Sequence, residues 1–363
     1  MSVDDYVFER RLERAATIPA RWYVEPEMLA RERASVFART WQLVGRAGQV
    51  ERTGQFFTAT VGDEPVVVVR DREERLRAFS NVCRHRAGPV AEGEGTRRNF
   101  RCGYHGWTYA LDGRLAGAPE FEGVECWSRE ETRLPEFRAE VWGPLVFVNL
   151  DADAAPLLES LEDLPARVGP SFGRAGLGLA ARKDWVVECN WKVYVDNYLE
   201  GYHIPVVHPS LNRELEYANY RTETRTLYSV QHSPIRRAER LRPSGGADEA
   251  QFFWLFPNLM LNVYPDNFST NLIVPLGPER TLTAFEWFMP DPEADSTREE
   301  LQRIISFSDE IQLEDIRVCE TVQRNLRSRT YTSGRYSVRR ENGVHHFHGL
   351  LAEFLAPRPT VKR

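Results

Sequence analysis

A chain of 363 residues, 42% hydrophobic and 28% charged, has the make-up of a soluble globular protein long enough for two domains. A net charge of −6 with scattered basic residues excludes a nucleic-acid footprint; pairs such as Arg236–Arg237 and Arg339–Arg340 read as solvated surface. No apolar run reaches the length of a membrane span, and the acid-bearing N-terminus has no export-type apolar core. A cytoplasmic location is expected, with the five cysteines reduced and available as ligands.

Residues 26–41 space Met28, Leu29, Val36, Phe37 and Trp41 along one helical face, closing an N-terminal segment, 1–41. From 42 to 150 the texture becomes short β segments: "GQFFTATVG", "EPVVVVRD", "RLRAFSNVC", "RNFRCGYH", "GWTYALDGRL" and "GPLVFVNLD". Turns at close intervals make this a small all-β domain. Residues 151–178 read as a connecting segment with a short helix.

The remainder, 179–363, offers a helix over 190–203, strands over 221–232, 250–264, 268–275 and 280–290, and a long helix over 297–328. Strands in succession with segregated helices predict an α+β domain around an antiparallel sheet, not a doubly wound one. No GxGxxG follows a strand and no Walker loop is present, so neither a dinucleotide nor an NTP site is evident.

Within the β domain, "CRHRAGPVAEGEGTRRNFRCGYHGW" gives Cys83-x-His85, sixteen residues, then Cys102-x2-His105. Two tight Cys/His pairs on two loops suit a metal, and zinc is the plainer alternative. Zinc loops, however, usually pair Cys with Cys and His with His. One cysteine followed by one histidine on each loop fits a two-iron cluster whose cysteines hold one iron and histidines the other, the Rieske pattern. Gly103 departs from the C-P-Y-H form of the second loop without removing a ligand.

A cluster that moves single electrons needs an acceptor. "DNYLEGYHIPVVHP" places Asp196, Glu200 and His203 at helical spacing, Pro205 ends the helix, and His208 returns from the following turn. Two neutral imidazoles presented so fit iron, copper, nickel or zinc; beside a Rieske box the expected site is the iron triad of two histidines and a carboxylate. In "SDEIQLEDIRVCETVQ" the residues Ile311, Asp315, Val318, Cys319 and Val322 share a face, and a charge on an apolar stripe is costly unless paired or coordinated. Asp315 is therefore the expected ligand, with Glu314 and Asp309 as alternatives. Cys189 and Cys319 read as buried thiols, and Cys126 has no evident role.

The chain resembles the α subunit of the Rieske non-haem iron oxygenases over essentially its full length, through "RWYVEPEML", the cysteine–histidine box, "NWKVYVDNYLEGYHIPVVH" and the C-terminal helix. Within that family it is most similar to the choline, carnitine and glycine-betaine monooxygenase and demethylase group, by "GYHIPVVHP", "LFPNLMLNVYPD", "EDIRVCETVQRNLRS" and "GRYSVRRENGVHHFH". The resemblance implies a [2Fe–2S] domain ahead of a helix-grip catalytic domain, mononuclear Fe(II), O2 as cosubstrate and a small-molecule substrate. It also implies a separate NAD(P)H-dependent reductase, with or without a ferredoxin, and a head-to-tail homotrimer. Glu200, where the family commonly has Asp, would link the two metal centres of neighbouring subunits. Asn197 matches an asparagine near the iron. His345, His346 and His348 are left a structural or entrance role.

Three readings follow. The first is oxygenation or N-demethylation of a quaternary or tertiary amine, whose cationic head would need aromatic walls. Tyr194, Tyr198, Tyr202, Phe252, Phe253, Trp254 and Tyr264 are the rings expected around the iron. The second is ring hydroxylation of an aromatic or other hydrophobic substrate. The third, of another class, is a non-catalytic Rieske electron carrier.

Overall fold

The computed structural model describes residues 6–236, 249–264 and 267–357. Arg237, and Pro265 and Asp266 of the "LFPNLMLNVYPD" stretch, lie outside the described residues. The chain divides into two compact units, Phe37–Pro165 and Met1–Val36 with Ala166–Arg363. α1 (Pro26–Ser35) begins on a proline, which suits a first helical turn because its missing N–H would be unpaired there anyway. The helix stops before Trp41; a 3-10 turn covers Phe37–Arg39.

In the first unit, seven strands form one antiparallel sheet: β1 (Gln42–Arg46), β2 (Gln55–Val61), β3 (Glu64–Arg70), β4 (Leu76–Ser80), β5 (Glu94–Thr96), β9 (Glu136–Trp142) and β10 (Leu145–Asn149). A second, three-stranded sheet joins β6 (Phe100–Arg101), β7 (Thr108–Tyr109) and β8 (Leu115–Gly117). Strand alternation splits the valine run of β3 between two cores. Val66 and Val68 pack with Val146 and Val148, while Val67 and Val69 pack with Phe79, Trp107, Tyr109 and the thiols Cys83 and Cys102. The two cysteine loops are thus anchored in a fully buried cluster. Where one short helix was expected beyond this unit's strands, α2 (Leu157–Ser160) and α3 (Leu164–Phe172) form.

The second unit is built on a seven-stranded antiparallel sheet. The meander β12 (Arg221–Thr224), β13 (Tyr228–Pro234), β14 (Glu249–Leu255), β15 (Leu259–Val263), β16 (Phe268–Gly277) and β17 (Arg280–Pro290) is closed at its far edge by β11 (Leu177–Val187), which pairs with β17. The expected strand 250–264 is therefore a hairpin of two, interrupted at Pro257, which has no N–H for a ladder. β11 starts inside the expected connecting segment; its central Arg182, Lys183 and Asp184 hide it from a hydrophobicity reading.

The expected helix 190–203 is also shorter. α4 (Trp191–Tyr198) is capped by Asn190, whose side chain accepts from the Lys192 N–H at 3.0 Å. It ends because the Tyr198 carbonyl takes a hydrogen bond from Gln231 Nε2 at 2.6 Å, and because Gly201 lies where any Cβ would be 2.7 Å from the Tyr220 ring. Lys192, fully buried, is ion-paired to buried Glu32 of α1 at 2.5 Å, and the Trp191 indole donates to the same carboxylate at 2.7 Å. Two short helices follow, α5 (Ile204–Val207) and α6 (Pro209–Glu214), then α7 (Asp295–Asn325) and α8 (Asn342–Leu355). Pro205 does not terminate α4 but sits in the first turn of α5, with His203 and His208 at its two ends. α8 was not placed from the sequence, although Val344, Phe347, Leu351 and Leu355 bury one face at helical spacing. No helix among the described residues is long and apolar enough to cross a membrane.

Candidate metal centres and their cavity

α5 and α7 bring together the three side chains expected to bind a single metal. His203 Nε2 lies 3.1 Å from His208 Nε2, which lies 3.0 Å from Asp315 Oδ1; His203 Nε2 and Asp315 Oδ1 are 3.7 Å apart. The opposite nitrogens are committed elsewhere. His203 Nδ1 is 2.6 Å from Glu200 Oε1, and His208 Nδ1 is 2.7 Å from Glu314 Oε2. An ionised carboxylate only accepts, so each Nδ1 carries the proton and donates, and each Nε2 is left with a lone pair pointing inward. Two lone pairs and a carboxylate oxygen converging within 4.8 Å are a donor set that lacks its acceptor, and a metal ion fits it. Without the metal the two carboxylates also favour a proton on both nitrogens of His208: burial works against its charge, yet its bonds to Asp315 and Glu314 prevail and raise its pKa above the usual imidazole range, so a metal binds there by displacing the Nε2 proton.

Glu200 also accepts from the main-chain N–H groups of Tyr202 and His203, capping the bend that follows α4. Glu314, expected only as a substitute ligand, instead orients one, and Asp309 is taken by Lys183 at 2.7 Å. The face of α7 differs from its expected composition: Leu301, Gln312, Cys319 and Gln323 are its buried residues, and Val322 is 41% exposed. Cys189 and Cys319 are buried free thiols, the latter's pKa driven up by its bond to Cys189 and by burial, whereas Cys126 is exposed. The C-terminal histidines take no part. His345 stacks on Phe8, His346 abuts Trp254, and His348 hydrogen-bonds Asp196, Tyr23 and Tyr336.

A cavity of about 180 Å³ opens onto the three converging donors, close to the ~150 Å³ that accommodates one benzene ring. Asn197 lines it, as do Tyr194, Tyr198, Phe252 and Tyr264 among the expected rings. Tyr202 is 57% exposed, and Phe253 and Trp254 belong to the core, so these three are not walls. Tyr220, Gln231, Asn262 and Gln312 are wall residues that sequence reasoning missed. They arrive from the chain before β12, from β13, from β15 and from α7, and no local pattern links them.

Their hydrogen bonds explain the shape of the wall. The Tyr194 hydroxyl donates to Gln312 Oε1 at 2.5 Å, Tyr198 to Asn262 Oδ1 at 2.9 Å, and Tyr220 to Gln231 Oε1 at 2.7 Å. All three phenols are held far above their usual pKa, chiefly by burial. Their hydroxyl protons are spent within the protein, which leaves ring surface for whatever enters.

The other four expected ligands lie on two loops of matching construction. Cys83 N–H donates to the Gly88 carbonyl and Ala87 N–H to the Cys83 carbonyl; Cys102 N–H donates to Trp107 and Gly106 N–H to Cys102. The turning residues, Ala87 and Gly106, both have positive φ, 59° and 75°. Each loop thus presents a buried cysteine at its base and a histidine near its tip, and the rings of His85 and His105 are 4.5 Å apart. At Gly88 a Cβ would come within 2.9 Å of Cys102 Sγ. The Tyr109 hydroxyl accepts from the Arg84 N–H at 2.9 Å and so directs its proton to Cys83 Sγ at 3.3 Å. His85 Nδ1 is buried without any hydrogen-bond partner, a costly arrangement for a free imidazole. Two unpaired thiols and an orphaned ring nitrogen fit a Rieske cluster.

Residues 175–356 match the catalytic domain of the ring-hydroxylating α subunits, and residues 40–128 match the Rieske [2Fe–2S] domain. The chloroplastic choline monooxygenase of Arabidopsis thaliana is 37% identical over 354 residues, 94% of this chain and 83% of that protein. The carnitine monooxygenase oxygenase subunit of Escherichia coli (strain K12) is 34% identical over 354 residues, 94% of each chain. The quaternary ammonium Rieske monooxygenase CntA is similar throughout. Its complex with L-carnitine matches at TM-score 0.82 and 28% identity over 95% of this chain and 97% of that one. A second CntA structure, described with inter-subunit electron transfer in that enzyme, matches at 0.83 and 28% over 96% and 100%. These matches overturn the carrier reading, and the chain belongs to the ring-hydroxylating α subunits, the Rieske non-haem iron oxygenases, whose O2 chemistry uses a [2Fe–2S] cluster and a mononuclear iron.

Proposed function

We propose that this chain oxygenates a small quaternary or tertiary amine, choline-, carnitine- or betaine-like, with His203, His208 and Asp315 holding the mononuclear iron. Cys83, His85, Cys102 and His105 would hold the cluster. Once bound, the iron would supply activation of O2 and oxygen transfer to a carbon of the substrate, and the cluster would supply electrons one at a time. A separate NAD(P)H-dependent reductase, with or without a ferredoxin, provides those electrons. The oxygenase works as a homotrimer, in which Glu200, bonded to His203 at 2.6 Å, carries the link to a neighbouring subunit's cluster.

The observation that carries the substrate class is the tyrosine wall. Rings whose hydroxyls are already committed to Gln312, Asn262 and Gln231 offer an incoming molecule their faces and edges. A methylated ammonium cannot donate hydrogen bonds as a lysine does, and ring faces attract it by their quadrupole. Glu200 and Asp315 offset the charge of the iron beside them, and no lysine or arginine is among the described lining residues, so no cationic side chain repels an ammonium head. Asn197, beside the donors, has an amide free of side-chain hydrogen bonds among the described residues and would position the substrate or its ordered water.

The test is anaerobic loading with iron followed by aerobic turnover on a panel of choline, betaine, carnitine, a tertiary amine and naphthalene, with a plant-type reductase and NADH. Amine-dependent O2 uptake, with formaldehyde released where a methyl group is hydroxylated, supports the reading. Turnover confined to naphthalene would replace it with ring hydroxylation.

A further inference from the structure

We propose that Ser269 and Asn271 form a donor-only subsite for the oxygen of a short amino alcohol, so that the amine taken here carries a neutral hydroxyl and not a carboxylate. This rests on the amine reading above and narrows it.

The two residues are alternate positions of β16 and share the face of the sheet that lines the cavity. Asn262 of β15 stands directly opposite Ser269 and sets the direction of the bonds around it. Its Oδ1 accepts the Tyr198 hydroxyl proton at 2.9 Å, which leaves Nδ2 to donate, to Ser269 Oγ at 3.1 Å and to Asn271 Oδ1 at 3.3 Å. The hydroxyl proton of Ser269 and the amide protons of Asn271 are then unspent. Neither finds an acceptor among the described residues, although Ser269 is only 5% exposed and Asn271 only 7%.

A buried donor without an acceptor is costly, and here two of them line one cavity. The group that satisfies both is an oxygen with lone pairs; a second ammonium or an N–H would be turned away. A single amide, Asn262, connects this pair to the Tyr198 hydroxyl, which keeps the oxygen subsite one short linker from the ring wall.

A carboxylate would also accept, but burying its charge costs far more than burying a hydroxyl, and no lysine or arginine is among the described lining residues to offset it. Size points the same way. A cavity of about 180 Å³, little larger than one that takes benzene, suits a compact amino alcohol better than a longer chain ending in a carboxylate.

The experiment is calorimetric titration of the full-length chain loaded with iron and cluster. The probes are choline, propyltrimethylammonium (the same shape with methyl in place of hydroxyl) and glycine betaine. The parent is expected to bind choline about tenfold more tightly than either of the others, the worth of one or two neutral hydrogen bonds. Ser269→Ala, which removes a single oxygen, should shrink the preference for choline over propyltrimethylammonium about three- to tenfold, and Asn271→Leu should do the same. Reading a ratio of two affinities cancels any general loosening of the cavity. If Asn271→Leu fails to load iron, Ser269→Ala decides alone. An unchanged ratio in the loaded variants would overturn the proposal, and so would a parent that prefers glycine betaine, which would assign the pair to a carboxylate. A parent that binds naphthalene and none of the three cations would instead sink the amine reading beneath it, and the subsite with it.

Discussion

Glu314 accepts the Nδ1 proton of His208 at 2.7 Å, and this contact decides which nitrogen of the imidazole faces Asp315. The pair behaves as one ligand, because the carboxylate fixes both the tautomer and the rotation of the ring. We expect Glu314→Ala to weaken iron binding by about 10- to 100-fold without touching the cluster, seen as faster iron loss to a chelator with an unaltered visible spectrum. Asp315→Ala goes further. Iron should fall from about three to about two per chain, and retention of all three would show that another acid is the ligand.

Glu200 occupies the same position relative to His203, but it also caps the bend after α4 through the N–H groups of Tyr202 and His203. Glu200→Gln keeps the shape and, with its amide oxygen turned to the Nδ1 proton of His203, the tautomer of that ligand, while removing the charge and one acceptor of the cap. Both metal centres should load normally while turnover slows by at least about tenfold; single-turnover transfer from pre-reduced cluster to iron is the step to time. Unimpaired transfer in that variant would remove Glu200 from the electron route.

Much of this site was legible because its chemistry is local. The spacing of Cys83, His85, Cys102 and His105 is set by two turns, and His203, His208 and Asp315 each sit on a short recognisable stretch. What escaped was set by distant contacts. α4 ends at Tyr198 rather than running through His203 because Gln231, on β13, takes its last carbonyl and the Tyr220 ring crowds Gly201. Neither partner is near in sequence. Glu314 lay in view, one position from Asp315, but its role depends on how α7 presents that edge to His208. The cavity wall was half legible. Rings could be counted along the chain, but which faced inward depended on hydroxyl partners from three other elements. α8 is a different kind of miss, since Val344, Phe347, Leu351 and Leu355 carry an ordinary amphipathic pattern beneath a conspicuous run of histidines.

The hydroxyl of Tyr198 separates two contributions of the tyrosine wall. Tyr198→Phe removes the bond to Asn262 at 2.9 Å but keeps the ring, whereas Tyr198→Leu removes the ring as well. If the ring face binds the cation, Phe should retain most of the affinity. Leu should raise the KM for a quaternary amine by roughly 5- to 30-fold, about 1–2 kcal/mol of cation–π attraction. An equal loss in both variants would mean that the Asn262 bond, not the ring, matters.

His346 predicts an acid limb in the stability of the fold. Its imidazole is largely buried against Trp254, and Nε2 has no hydrogen-bond partner. Burial accordingly lowers its pKa from 6.5 to about 4, outweighing its bond to the Arg225 backbone. In the unfolded chain the ring protonates near pH 6.5, so below that pH the unfolded state binds the extra proton and the native state does not. Stability is then complete above about pH 6.5 and falls as the pH drops toward 4. Between pH 7 and 5 the loss should be on the order of 1–2 kcal/mol once partial exposure is allowed for. His346→Gln, which cannot take up a proton in this range, should flatten that part of the curve in urea unfolding at matched metal content. If the variant and the parent lose stability in parallel from pH 7 to 5, the acid sensitivity arises elsewhere.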